Sequence, residues 1–186
     1  GAIILMIFLL DGAHHRTEKA EVTRAESYKL ANQLHQSSDD LTRMARTYVV
    51  TGNVIFEQYF NEILAIRDGT SPRPQNYDGI YWDYVTATNK ATTSLERPLA
   101  LIDLMRQVGI TDQEFARLKE AKHNSDELTN LERMAFGAMK GVFADDAGKL
   151  AIHREPDPAL ARDILHGAPY HKAKWEIVRP IKEFLD

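Results

Sequence analysis

Residues 30–48 read LANQLHQSSDDLTRMARTY, and within them Leu30, Leu34, Ser37, Leu41, Met44 and Tyr48 recur alternately four and three residues apart. At about 3.6 residues per turn that spacing draws one stripe along a helix, the seam by which a helix packs in a bundle or coiled coil. The helical pattern extends from Val22 to Val50. Gly52 ends it, and Asn53 can cap a second helix carrying Glu57, Tyr59, Phe60, Ile63, Leu64 and Ile66 as far as Asp68-Gly69. So short a return makes the two helices antiparallel neighbours.

Farther on, residues 70–79 (TSPRPQNYDG) hold two prolines and little apolar content, which predicts an ordered loop, and Ile80–Val85 is read as a brief helix. A third helix is expected from Pro98 to Gly109. Thr111-Asp112-Gln113-Glu114 is a capping box opening a long fourth helix with a seam through Leu118, Ala121, Ser125, Leu128, Glu132, Ala135, Met139 and Val142. Asp157-Pro158 opens a shorter helix that stops at His166-Gly167, and Pro169 opens a last one carrying Tyr170, Ala173, Ile177, Ile181 and Phe184. No stretch alternates with period two for long enough to predict a strand. The fold class expected is all-α: an up-and-down helical bundle with a four-helix-bundle-like core, additional short helices and a Pro-rich loop.

The 186 residues, 44% hydrophobic and 27% charged, are those of a globular protein rather than a disordered one. A net charge of −4, with no basic cluster interleaved with aromatics, argues against a nucleic-acid partner. The absence of cysteine excludes disulfides and thiolate metal sites. Residues 2–10 (AIILMIFLL) are uncharged but supply only about half of the roughly 20 residues that cross a bilayer. They can be the trailing half of a transmembrane helix, a signal-peptide core or a buried segment. No Lys or Arg precedes the run, no A-x-A site follows it before Asp11, and the helical pattern continues past it with only Gly12 as an interruption. The first reading is therefore preferred: residues 1–21 as the end of a truncated transmembrane helix with a juxtamembrane stretch, and residues 22–186 as the bundle domain.

No phosphate loop, nucleophile elbow, H-E-x-x-H pair or cysteine nucleophile is present, so no enzyme, cofactor or metal centre is expected in this stretch. His166 and His171 flank a turn, where cap and surface roles outweigh a metal pair. More informative are Ser37, Ser125 and Glu132, polar residues on apolar seams. A buried carboxylate needs a positive partner, and Arg43 or Arg46 beside the first seam is the expected one for Glu132, as a register-fixing ion pair or as part of a ligand site. Aromatic residues crowd around the Pro-rich loop. Phe60 and Trp82 are read as core, and Tyr81 and Tyr84 as pocket walls beside Arg43, Arg46 and Asn76. The candidate ligand-binding residues are thus Arg43, Arg46, Asn76, Tyr81, Tyr84 and Glu132, for a small and anionic ligand.

The stretch SSDDLTRMARTYVVTGNVIFEQYFNEILAIRDGTSPRPQNYDGIYWDYV (residues 37–85) resembles the extracytoplasmic sensor region of bacterial transmembrane receptors that carry histidine-kinase, chemotaxis-type or cyclase modules. LERMAFGAMKGVF (131–143) and HGAPYHKAKWEIVRPIKEFLD (166–186) are similar to later parts of the same region, so the resemblance covers nearly everything after Ala31. The chain departs from that pattern at Val54-Ile55 and at Phe136-Gly137, where Gly137 is expected to soften its helix by about 1 kcal/mol relative to Ala. What the resemblance implies is signal transduction from the periplasm or exterior across a bacterial inner membrane, with ligand binding passed on through the first and last helices of a homodimer. The competing expectation is a helical interaction module that docks a periplasmic partner protein and has no small-molecule pocket.

Overall fold

The stripe from Leu30 to Tyr48 is buried along its length, with Leu34, Leu41 and Met44 at most 1% exposed. In the computed structural model, which describes residues 2–77 and 79–186 and side chains from Glu18 onward, this stripe lies on helix α1 (Ala2–Thr51). The expected membrane segment at residues 2–10 falls outside the described side chains. Among the described residues no helix is long and apolar enough to cross a membrane. Helices α2 (Ile55–Arg67), α3 (Tyr81–Thr88), α4 (Leu101–Gln107) and α5 (Asp112–Lys140) follow, then a hairpin of β1 (Val142–Ala144) and β2 (Leu150–His153), and finally α6 (Pro158–His166) and α7 (Ala168–Leu185). The fold is all-α, a helical bundle with one very small sheet.

Ring contacts fix the helix directions. Tyr48 meets Phe136 edge-on at 5.0 Å, and Tyr28, twenty residues earlier, meets Phe184 of α7 at 5.8 Å. Glu57 at the start of α2 pairs with Lys140 at the end of α5, and Arg67 at its end reaches Asp126 at 2.8 Å. Helices α1 and α5 therefore run one way and α2 and α7 the other. Because α2 is short, α4 continues its layer, packing on both α1 and α5. Thr111 accepts from the Glu114 amide and Glu114 accepts from the Thr111 amide, the expected capping box. The Asn53 side chain accepts from the Ile55 amide, and Asp157 accepts from that of Leu160 ahead of Pro158. Phe60 and Trp82 are core residues, 0% and 1% exposed.

A proline sits inside α7. Pro180 has no N–H to give the Glu176 carbonyl one turn earlier, a loss that breaks many helices. Here the Asn124 side-chain amide on α5 donates to the Glu176 carbonyl at 2.8 Å, so the orphaned acceptor is satisfied from the neighbouring helix.

The hairpin corrects the expectation that no strand would form. Val142 pairs with His153 and Phe143 with Ile152, and a register shift follows before Ala144 opposite Leu150. Asp145 closes the turn, its carboxylate accepting from the amides of Ala147 and Lys149 at 3.0 and 2.9 Å. The strands are three and four residues long and β2 is exposed throughout, so neither leaves an alternating pattern. Gly141, at φ +74°, ends α5 in the left-handed conformation and turns the chain into β1.

Gly137 also acquires a different meaning. A Cβ at this position would lie 2.2 Å from the Val142 carbonyl oxygen, so the missing side chain is what lets the hairpin fold back onto α5. Gly137→Ala gains about 1 kcal/mol of helix propensity but must displace backbone, a steric cost of about 1–3 kcal/mol. We expect a lower urea midpoint for this variant. A midpoint equal to or above wild type would mean that the hairpin moves aside freely.

Candidate functional site

Two polar constructions stand out, one inside the bundle and one on its flank. Inside, Glu132 of α5 is 1% exposed. It does not meet Arg43 or Arg46, which corrects that expectation: the hydroxyl of Tyr170 on α7 lies 2.6 Å from its Oε1 and 2.9 Å from Thr42 Oγ1 on α1, and Thr42 lies 3.0 Å from the Ser38 carbonyl. The reason is helix phase. Thr42 faces inward, Arg43 turns to the flank, Arg46 on the Thr42 face is drawn to the Leu165 carbonyl, and Tyr170 fills the space between α1 and α5.

Proton counting favours a neutral Glu132. If its carboxyl keeps a proton, the hydroxyls donate in one direction, Glu132 to Tyr170, Tyr170 to Thr42 and Thr42 to the Ser38 carbonyl. If it is ionised, Tyr170 must donate to it, and Thr42 must choose between Tyr170 and Ser38. Burial pushes the Glu132 carboxyl from its ordinary 4.5 up to about 7, outweighing the Tyr170 hydrogen bond and the cationic Lys174 of α7, Arg67 of α2 and Arg133 of α5. Burial, reinforced by Glu132, likewise raises the Tyr170 phenol. Among the described residues Glu132 Oε2 has no hydrogen-bond partner, which further favours the uncharged form.

The two arginines once paired with Glu132 are engaged elsewhere. Arg43 bridges Asp40, at 2.7 Å, and Asp83. Arg46 donates from Nε and Nη2 to the Leu165 carbonyl near the end of α6, at 3.1 and 2.9 Å, and lies over the Tyr170 ring at 5.1 Å. Lys174 adds a second tie between α7 and α1, reaching Asp39 at 2.7 Å and Ser38 at 3.0 Å. Of the other polar seam residues, Ser37 donates to the Leu34 carbonyl of its own helix, and Ser125 accepts from Arg67 at 2.8 Å.

On the flank, the Pro-rich loop leans against α1 and leaves a cleft of about 800 Å³. The loop is held by a short antiparallel pairing: the Gln75 amide donates to the Ser94 carbonyl at 2.9 Å and the Glu96 amide to the Arg73 carbonyl at 2.7 Å. From this fixed backbone Arg73, 8% exposed, extends to Gln33 of α1, its Nη1 donating to Oε1 at 2.8 Å. The Arg73 guanidinium also lies 5.6 Å from the centre of the Tyr77 ring. Burial lowers the Arg73 pKa, opposed by Tyr77 and by the more distant Glu96, yet a guanidinium keeps its proton. Asp40, Gln36 and Ser37 also line the cleft, as does Asn76, which stands at φ +57°.

Of the six candidate residues, Asn76 alone lines this cleft, with Arg43 behind it through Asp40. Tyr81 is 7% exposed and packs against Tyr77 and Trp82, Tyr84 is 52% exposed, and Arg46 and Glu132 belong to the interior layer. The sequence reading passed over Arg73 and Gln33. The Pro-Arg-Pro setting of Arg73 was visible, but its partner lies 40 residues away on another element.

Compared with known proteins, the chain matches no family model, no curated protein and no solved structure.

The interior layer makes a pH prediction. Glu132 binds its proton more tightly in the folded chain than in the unfolded one, so its contribution to stability is full below about pH 4.5, falls as pH rises toward about 7, and is constant above that. Glu132→Gln cannot ionise, so its urea midpoint should gain on wild type between pH 5 and pH 8. A difference between the two proteins that stays constant over that interval would mean that Glu132 is ionised in the folded state throughout.

Proposed function

We propose that this chain is the extracytoplasmic ligand-sensing domain of a bacterial signal-transduction receptor, which binds a small molecule in the cleft between α1 and the Pro-rich loop and relays binding through its first and last helices. The observation that carries the reading is the cleft itself: a buried cation delivered by a braced loop onto the helix that leads toward the N-terminus. Pockets with apolar walls and a few directed polar groups are the common form of small-molecule sites.

The path for the relay is physical. Ser37 and Asp40 at the cleft are within one helical turn of Ser38 and Thr42, which join α1 to α7 through Lys174 and Tyr170. Helices α1 and α7 then run side by side to the end where Tyr28 meets Phe184 and donates to the Leu185 carbonyl at 3.3 Å. A ligand that binds one packing of this pair better than another shifts the population between them. The resemblance of residues 37–85, 131–143 and 166–186 to receptor sensor regions supports the same reading. Homodimerisation through α1 belongs to the proposal: its residues 18–26 are exposed or only partly covered by this chain, so a second copy could line them.

One observation favours docking of a partner protein instead. Ile80 and Tyr84, one turn apart at α3, are 70% and 52% exposed.

Because the chain has no cysteine, Asn32→Cys at the cleft edge can carry a single environment-sensitive fluorophore. Screened against a library of small metabolites, this protein should report at least one saturable ligand, and that ligand should change amide hydrogen exchange in both α1 and α7 near Tyr28 and Phe184. Ligands that alter exchange only around the cleft would remove the relay. A silent label, combined with capture of a partner that Ile80→Ser and Tyr84→Ser abolish, would replace the sensor with the docking module.

A further inference from the structure

We infer that the cleft takes a small organic monocarboxylate, its carboxylate held by the Arg73 guanidinium and its apolar body against Leu30, Tyr77 and Leu104; this rests on the cleft being a ligand site and names the ligand's chemistry.

The first argument is charge. Arg73 is nine-tenths buried, and among the described residues no carboxylate lies within ion-pair distance of it; its one side-chain hydrogen bond goes to the neutral Gln33. Buried arginine elsewhere in this chain is treated differently. Arg67, 3% exposed, has Asp126 at 2.8 Å and Asp68 at 3.9 Å. At Arg67 the fold supplies an anion; at Arg73 it supplies an amide and open space. A guanidinium taken out of water without an anion is costly, and its planar fork fits a carboxylate by two parallel hydrogen bonds.

The second argument is that Arg73 is held in place. Pro74 restricts the Arg73 backbone to extended conformations, and the pairing with Ser94 and Glu96 fixes where the side chain begins. An arginine held in advance loses less freedom when a ligand arrives.

The third argument limits the ligand to one negative charge. Glu26 and Glu96 stand exposed on the rim, against one exposed cation, Lys29, and Asp40 is already engaged by Arg43 and Gln36. A second carboxylate or a phosphate dianion would face these rim carboxylates, and like charges repel over such distances. Leu30, Tyr77 and Leu104 offer an apolar wall that an inorganic anion leaves uncovered. The volume of about 800 Å³ is within the size range of small-molecule pockets.

The test uses isothermal titration with four probes: phenylacetate, its neutral analogue phenylacetamide, succinate and inorganic phosphate. Phenylacetate should bind saturably and shift the Gln33 side-chain amide resonance, with the other three at least about tenfold weaker. Arg73→Lys, which keeps the charge but not the fork, should weaken phenylacetate by about tenfold, and Arg73→Gln should abolish its binding. The Gln33 resonance is read on wild type, so the test stands even if the variants fold poorly. Phenylacetamide binding as well as phenylacetate, or no Gln33 shift with phenylacetate, overturns the inference. Succinate or phosphate binding more tightly through Arg73 overturns the monocarboxylate class and leaves the cleft a ligand site. A library ligand that carries no negative charge and perturbs the Asn32 label would likewise leave sensing intact while this inference falls.

Discussion

A carboxyl group cannot enter the core of a helical bundle without a partner, and the arrangement of this molecule follows from how Glu132 finds one. An unpaired polar group in such a place costs several kcal/mol. Tyr170 can reach Glu132 only if α7 lies in the groove between α1 and α5, and Thr42 can complete the chain of hydroxyls only if α1 sits at one rotation and height. One buried hydrogen-bond network thereby sets the register of three helices at once, which an apolar seam of interchangeable leucines does much less sharply. The network sits at the level where α6 gives way to α7, and Arg46 fastens that junction from outside by holding the Leu165 carbonyl and lying over the Tyr170 ring.

The flank obeys the same physics with a different result. Proline makes residues 70–79 poor helix and poor strand, so the chain braces them against residues 92–96 and points one arginine back at α1. Inside the bundle burial favours the neutral form of Glu132, and Arg67 is paired with Asp126. In the cleft the cation stands beside an amide and open space. The two settings meet on one helix: α1 carries both Gln33, which meets Arg73, and Thr42, which meets Tyr170. The cleft thus borders a helix whose packing is fixed by hydrogen bonds as well as by its apolar seam.

Much of this was legible in the amino-acid sequence because it depends on neighbours close along the chain. The three-and-four spacing of Leu30 through Tyr48, the Thr111–Glu114 capping box, and the Asp157-Pro158 start with its stop at Gly167 are local, and each is found where it was read. The aromatic core residues Phe60 and Trp82 followed from size and setting. That Glu132 would be buried was also readable, since its position in the stripe is fixed by helix geometry.

Tertiary structure decided the partners. Whether Glu132 meets an arginine on α1 or a tyrosine on α7 depends on the rotation of two helices that are distant in sequence, and no local pattern encodes it. The same holds for Asn124, which makes Pro180 tolerable inside a helix, and for Gly137, whose missing side chain admits the Val142 carbonyl besides lowering helix propensity. The hairpin was invisible because both strands are short and β2 is exposed throughout. Arg73 looked like a loop residue until folding laid it against Gln33. Periodicity determines which side of a helix is turned inward; which group waits there is settled only when the helices pack, because the energy of a polar contact depends on a few tenths of an ångström that spacing along the chain does not specify.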